Sequence, residues 1–124
     1  MELFGKAKVR YIRAIYELTR DGDTARVSDL AIKLGVTKPS VSNAVKSLER
    51  DRLVIRDVSR RVSLTPEGRQ AAIKSAKRYT VILHFLTEVL HVDQKTAQRD
   101  SCAMEHAVSK ATYLSMQRLK EKPL

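Results

Sequence analysis

Three side chains that commonly bind transition metals lie close together near the end of the chain, at Cys102, Glu105 and His106. On a helix, the i, i+3, i+4 spacing places all three on one face. Because a thiolate is a soft ligand, this set suits iron(II), zinc, cobalt or nickel better than manganese. Three protein ligands also leave one coordination position open. The trio is therefore a candidate site for a divalent transition metal.

The same residues are open to other interpretations. A neighbouring imidazole favours the thiolate form of a cysteine, so Cys102 is also a candidate redox sensor. Without any function, the thiol would be buried, Glu105 would form an ion pair and His106 would bond to the backbone. A second trio with ligand-like spacing is weaker, because exposed histidines are ordinary on long helices: His84, Glu88 and His91. No pairing of Ser, His and Asp indicates catalysis, so we expect no enzyme.

A polar helix start indicates a different chemistry. After Gly35, the apolar residues Val41, Val45 and Leu48 repeat at i, i+4 and i+7 and must face inward. Polar and basic side chains then occupy the outer face and the exposed first turns, which fits a helix that enters the major groove of DNA. We expect base contacts from Thr37, Pro39, Ser40 and Asn43, and phosphate contacts from Lys38, Ser42, Lys46 and Arg50.

Residues 53–56 and 61–64 have the pattern of two short strands, and the link between them predicts a β-hairpin. The hairpin holds Arg56, Arg60 and Arg61, whose guanidinium groups suit the DNA backbone or the minor groove. A single basic residue is often only solvated surface. Here the order of the elements, the polar helix start and the basic hairpin agree with one another.

The charge balance favours a polyanionic partner. The chain has 24 Lys and Arg against 14 Asp and Glu, a formal net charge of +10, and a pI near 10.1. Nucleic acid is the first expectation, and an acidic membrane surface is the second. No apolar run has the length of a membrane span, and no apolar stretch at the start resembles a signal peptide. The lone cysteine fits a reducing cytosol, so we expect a cytoplasmic protein.

The remaining pattern predicts a mainly α protein. We expect a winged helix-turn-helix over residues 1–66, with Ser28 capping the second helix and Gly35 ending it. An all-helical dimerisation domain is expected over residues 67–124. Its first helix runs from Pro66 to about Leu90, with Ile73, Ala76, Leu83, Leu86 and Leu90 on one side. Asp93 and Ser109 cap two further helices. Their apolar surface exceeds what one chain can bury, so we expect a homodimer.

Several separated motifs resemble the diphtheria toxin repressor and manganese transport regulator family. They are YIRAIYEL at 11–18, ARVSDLA at 25–31, KPSVS at 38–42, LTPEG at 64–68, FLTEVL at 85–90, and CAMEH at 102–106 followed by Ser109. The resemblance implies a metal-dependent repressor that dimerises through its helical domain and binds inverted-repeat operators on double-stranded DNA. The resemblance is to the short members of the family, so we expect no SH3-like third domain.

The resemblance also implies ligand positions that this sequence does not match. Cys102, Glu105 and His106 match ligands of the iron branch, but the position on the first helix is Arg10, where the branches have a methionine or an acid. Three further ligand positions are occupied by residues that do not match the family, namely Tyr79, Leu83 and Gln98. At Arg13 the manganese branch has an acid, whereas the iron branch also has an arginine. A guanidinium is always charged and cannot coordinate a cation. We therefore expect Arg10 to replace the metal by pairing with Glu105.

Two other functions stay open at this point. The chain is still a candidate metal- or redox-responsive repressor that uses Cys102, Glu105 and His106. Alternatively, it is a winged-helix module that has lost DNA and binds an acidic protein. The basic hairpin and the polar helix start favour DNA.

Overall fold

The computed structural model describes residues 6–121, and the side chains of residues 7–119. In chain order, this part contains α1 (Lys6–Leu18), α2 (Val27–Leu34), α3 (Lys38–Arg50), β1 (Val54–Arg56), β2 (Val62–Leu64), α4 (Pro66–His84), a π-helical turn (Phe85–Val89), α5 (Gln94–Ala107) and α6 (Lys110–Glu121). The chain divides into two compact units, Met1–Ile73 and Lys74–Leu124. The expected fold, a winged helix-turn-helix followed by an all-helical domain, is confirmed.

The apolar faces of α1, α2 and α3 form the core of the first unit. Ile12, Ile15, Leu30, Val45 and Leu48 are all at most 1% exposed. Each such side chain contributes about 1.5–3 kcal/mol when it leaves water. The predicted inward stripe of α3 is confirmed, and it fixes which side of that helix remains in solvent.

The start of α2 differs from the prediction that Ser28 caps it. The helix begins at Val27, its N-cap is Arg26 in an extended conformation, and no side chain caps it. The reason lies in the tertiary structure, because Ala25 exchanges two backbone hydrogen bonds with Val62, each of 2.8 Å. This bridge holds the chain extended up to Arg26, and the helix begins directly after it.

The β-hairpin forms, with strands that are one residue shorter at the start than predicted. Val54 pairs with Leu64, Ile55 with Ser63 and Arg56 with Val62 in antiparallel register. Gly68 lies under this hairpin in the first turn of α4, where a Cβ would be only 2.0 Å from the carbonyl oxygen of Leu53. The close approach explains why this helical position is a glycine.

The second unit packs around Val81, Ile82, Leu86, Ala97 and Met116. Asp93 caps α5 by accepting a hydrogen bond from the Thr96 amide, and Ser109 caps α6 through Thr112, as predicted.

The long helix of the prediction does not continue to Leu90. α4 ends at His84 and a π-helical turn covers Phe85–Val89. Such a turn has one more residue than an α-helical turn, so it rotates the following positions away from the apolar side. Leu90 is accordingly 54% exposed. Ile73, also predicted to face the core, is 40% exposed.

Candidate nucleic-acid interface

The first turns of α3 present a compact polar surface. Gly35, at a φ of 66°, ends α2 in the left-handed conformation, and Thr37 then caps α3. The Thr37 hydroxyl oxygen accepts from the Ser40 amide at 3.2 Å, and the hydroxyl donates to the Ser40 hydroxyl at 2.9 Å. Pro39 occupies the first turn, where a missing amide proton costs nothing.

The predicted contact residues of α3 lie at this helix start and along its outer face. Ser42 is partly buried, and the others are exposed: Thr37, Lys38, Pro39, Ser40, Asn43, Lys46 and Arg50. Unpaired backbone amides at a helix start attract anions, and the helix dipole adds to the effect. Both the charge and the exposure of this surface are suited to DNA phosphates and base edges.

The connection between β1 and β2 is built by Asp57. Its carboxylate accepts from the backbone amides of Ser59 at 2.8 Å and Arg61 at 3.0 Å. The turn closes when the Arg60 amide donates to the Asp57 carbonyl, and Arg60 itself lies at a φ of 63°. A glycine usually occupies such a left-handed position in a short hairpin. Arg60 is exposed, and its left-handed backbone conformation is energetically unfavourable for a residue with a side chain.

An open basic cleft of about 610 Å³ joins three parts of the first unit. We call this surface the basic cleft. It is lined by Arg26, Val27 and Ser28 at the start of α2, by Lys38 and Ser42 of α3, and by Arg56, Ser59, Arg60 and Arg61 of the hairpin. The cleft thus brings together five of the predicted DNA-contact residues: Lys38, Ser42, Arg56, Arg60 and Arg61. Thr37, Pro39, Ser40, Asn43, Lys46 and Arg50 do not line the cleft.

Sequence reasoning missed Arg26, Val27, Ser28 and Ser59 as lining residues. The cap prediction placed Ser28 ahead of α2 and gave Arg26 no function. The signal was a basic residue directly before a helix start, but its relevance depends on the Ala25–Val62 bridge, which only the folded chain contains.

Arg56 has a different environment from the other basic residues of the cleft. Its side chain is only 12% exposed, and its Nε lies 3.2 Å from the Glu49 carboxylate of α3. This ion pair ties the hairpin to α3. It leaves Arg26, Lys38, Arg60 and Arg61 as the cleft cations that are most available to an external anion. A DNA contact from Arg56 remains a prediction.

The candidate metal ligands are not grouped. Cys102 is exposed, Glu105 is 6% exposed, and His106 is partly buried. The Glu105 carboxylate accepts a hydrogen bond of 2.6 Å from the Ser75 hydroxyl. Among the residues that the structure describes, no three His, Cys, Asp or Glu side chains form a group that could hold a metal ion. This statement covers the second trio as well, at His84, Glu88 and His91.

The other positions implied by the resemblance carry different chemistry. Leu83 packs against the apolar cluster of the second unit, Gln98 is exposed, and Tyr79 and Arg13 are partly buried. Arg10 is exposed on α1. Arg10 and Glu105 belong to different compact units, and their pairing remains a prediction.

Within residues 6–121, no helix is long and apolar enough to cross a membrane.

The chain matches two domains of one protein family. The iron-dependent repressor N-terminal DNA-binding domain matches residues 4–61, and the iron-dependent repressor metal-binding and dimerisation domain matches residues 65–123. The chain belongs to the iron-dependent repressor family. The resemblance seen in the sequence motifs is thereby confirmed.

Individual relatives are transcriptional regulators. The chain is 33% identical to the diphtheria toxin repressor of Corynebacterium glutamicum over 99 residues, which cover 80% of this chain and 43% of the relative. It is 38% identical to the transcriptional regulator MntR of Escherichia coli over 102 residues, which cover 82% of this chain and 65% of the relative. The chain thus spans about half the length of the curated relatives it matches.

Solved structures agree on the fold. The manganese regulator SloR matches with a TM-score of 0.82 and 27% identity, over 94% of this chain and 54% of that structure. A hypothetical protein from Sulfolobus solfataricus, SSo2273, matches with a TM-score of 0.74 over 97% of this chain and 92% of its own. At 22% identity, the second likeness concerns the fold alone.

Proposed function

We propose that the chain is a sequence-specific DNA-binding transcriptional repressor that acts as a cytoplasmic homodimer. The observation that carries the proposal is the basic cleft, in which the starts of α2 and α3 and the hairpin present cations to one open surface. Membership of a repressor family supports the same function.

The contacts divide by the chemistry of each surface. The first turns of α3 enter the major groove, where Asn43 can pair with adenine and Pro39 can touch a thymine methyl group. The basic cleft and the hairpin hold the phosphate backbone, which positions the helix without reading sequence. Glu49 is engaged by Arg56, and the Asp57 carboxylate is engaged by the turn. Because both carboxylates already have internal partners, they repel a bound phosphate less than unpaired carboxylates would.

The second unit supplies the dimer. Its match to a metal-binding and dimerisation domain supports this role. Since a two-fold dimer presents two copies of α3, we propose that the operator is an inverted repeat with half-sites about one or more helical turns apart.

Salt dependence is the direct test of phosphate contact. Fluorescence anisotropy with a duplex of about 30 base pairs should give log K falling with log salt, with a slope of about −3.6 for each protomer if four cleft cations replace counterions. Arg60→Ala should weaken binding to all sequences alike and reduce the slope by about 1. Arg99→Ala is the matched control, because Arg99 is 80% exposed and lies outside the cleft.

Two results would contradict the proposal. If selection from random duplexes enriches no sequence, the chain does not read bases. If binding to DNA is independent of salt while an acidic protein binds the cleft, the chain is an interaction module instead. The polar helix start and the basic hairpin together favour DNA over that alternative, because they match base edges and phosphates at the same time.

Metal control is a separate part of the proposal. We propose that Arg10 pairs with Glu105 and takes the place of a divalent metal, which leaves the repressor competent at all times. The alternative is a repressor that holds iron, zinc, cobalt or nickel, and manganese less readily, through Cys102, Glu105 and His106. Operator binding with and without chelator separates them. Loss of binding in chelator that iron restores would contradict the Arg10 substitution.

A further inference from the structure

Glu105 occupies a buried position on α5 and is engaged by α4. It is 6% exposed, and the Ser75 hydroxyl donates to its carboxylate at 2.6 Å. Ser75 is itself only 9% exposed. Hydrogen bonds to an ionised acceptor are shorter and about twice as strong as neutral ones, and burial increases the cost of losing them. This bond joins residues that are 30 positions apart.

Arg78 makes a second connection less than one helical turn further along α4. Its Nε donates to the Glu105 carbonyl at 3.0 Å, and its Nη2 donates to the Val108 carbonyl. The guanidinium also lies 5.0 Å from the centre of the Tyr113 ring on α6. A cation here satisfies carbonyls that the end of α5 leaves without helical partners. One side chain thus connects α4, the end of α5 and α6.

The chemistry around Glu105 does not fit a metal centre. Cys102 is exposed while Glu105 is buried, although both lie on α5. Leu83, at a position where the family resemblance implies a ligand, packs in the apolar cluster of the same unit. Within residues 6–121, no three Asp, Glu, His or Cys side chains form a group suited to a metal ion.

We propose that Ser75 and Arg78 hold α5 and α6 on α4 without a metal, with Glu105 as a hydrogen-bond acceptor rather than a metal ligand. The second unit then reaches its folded arrangement from the chain's own polar groups. That the repressor is consequently insensitive to divalent metals rests on the proposed function. The statement about folding does not, because it can be measured without DNA.

The first experiment measures the thermal midpoint of the full chain in chelator and with Mn²⁺, Zn²⁺ or anaerobic Fe²⁺. A folded-state metal site held at about a hundred times its Kd would raise Tm by several degrees. We expect no rise, or a rise equally large in Glu105→Gln, which keeps an acceptor for Ser75 but is a poor metal ligand. A rise of more than about 3 °C that disappears in Glu105→Gln would overturn the proposal.

The second experiment compares two buried hydroxyl groups on the helices of this unit. Ser75→Ala removes a buried hydrogen bond to Glu105 and should lower Tm by about 5 °C or more. Ser101→Ala is the matched control, because Ser101 is fully buried and its hydroxyl has no hydrogen-bond partner among the described residues. That control should leave Tm unchanged or raise it. Equal effects of the two substitutions would refute the assignment of Ser75.

Arg78→Ala provides an independent arm, since it removes the cap of α5 without touching the Glu105 carboxylate. It should lower Tm by about 5 °C or more, and the exposed neighbour Lys77→Ala should not. If the Arg78→Ala variant has the same Tm as the wild-type chain, the contacts of Arg78 with the end of α5 and with α6 do not stabilise the unit.

Discussion

Arg60→Gly should separate the stability of the hairpin from its affinity for DNA. Arg60 lies at a φ of 63°, a conformation that costs an ordinary residue about 1–2 kcal/mol and glycine nothing. Glycine also loses more conformational entropy on folding, and this cost offsets about 0.5–1 kcal/mol of the stabilisation. The net expectation is a variant up to about 1.5 kcal/mol more stable than the wild type, with a Tm up to about 6 °C higher.

The lost charge acts in the opposite direction on binding. Removing one phosphate contact reduces the slope of log K against log salt by about 0.9. If counterion release accounts for the whole effect, affinity falls by about 15-fold at 0.05 M salt but only by about fourfold at 0.2 M, for each protomer in contact with DNA. The loss should be the same for every DNA sequence, because phosphates carry no sequence information directly.

The assay combines thermal melting with anisotropy titrations at several salt concentrations. Arg52→Gly is a closely matched control, because Arg52 is also exposed, also has a positive φ of 61°, and does not line the basic cleft. It should gain similar stability and keep the wild-type salt slope. If Arg60→Gly melts well below the wild type, the strain argument is wrong. If Arg52→Gly loses as much affinity as Arg60→Gly, the effect reflects net charge and not the cleft.

Other positions give further expectations. Gly68→Ala should destabilise the first unit by about 3 kcal/mol or more, seen as a lower denaturation midpoint, since its Cβ would overlap the Leu53 carbonyl oxygen at 2.0 Å. A near-normal midpoint would show that the backbone yields there. Asn43→Ala should relax preference at one base step in a binding selection, and uniform loss on all sequences would contradict the groove assignment. The Thr96 amide, hydrogen-bonded to Asp93, lowers the pKa of that carboxyl, so its contribution to stability is present above the unfolded pKa and is lost as pH falls through the folded pKa. Asp93→Asn should therefore reduce the acid sensitivity of melting, and an unchanged pH profile would exclude this cap as a cause.

Much of the helix-turn-helix could be predicted because its signals are local. The spacing of Val41, Val45 and Leu48 selects the inward face of α3, and all three are fully buried. Gly35 marks the end of α2, because a left-handed residue there favours the residue without a side chain. Likewise, Asp93 signals a helix start through a bond to an amide three residues ahead.

Predictions failed where distant segments meet. Ser28 is a good capping residue, yet the bridge between Ala25 and Val62 sets where α2 begins. The apolar pattern through Leu90 resembles one continuous helix, but a π-helical turn rotates Leu90 into solvent. Neither the bridge nor the turn leaves a mark in the local spacing of residue types.

The sequence by itself determined the family, the polar start of α3 and the excess of positive charge, since these depend on residue types and short spacings. Only the tertiary structure decided which cations share the basic cleft and what the Glu105 carboxylate touches. The sequence placed Glu105 beside Cys102 and His106 as a candidate ligand, whereas folding brings Ser75 to it from 30 residues away. Periodicity specifies a helix face, but the partner of that face depends on how the helices pack.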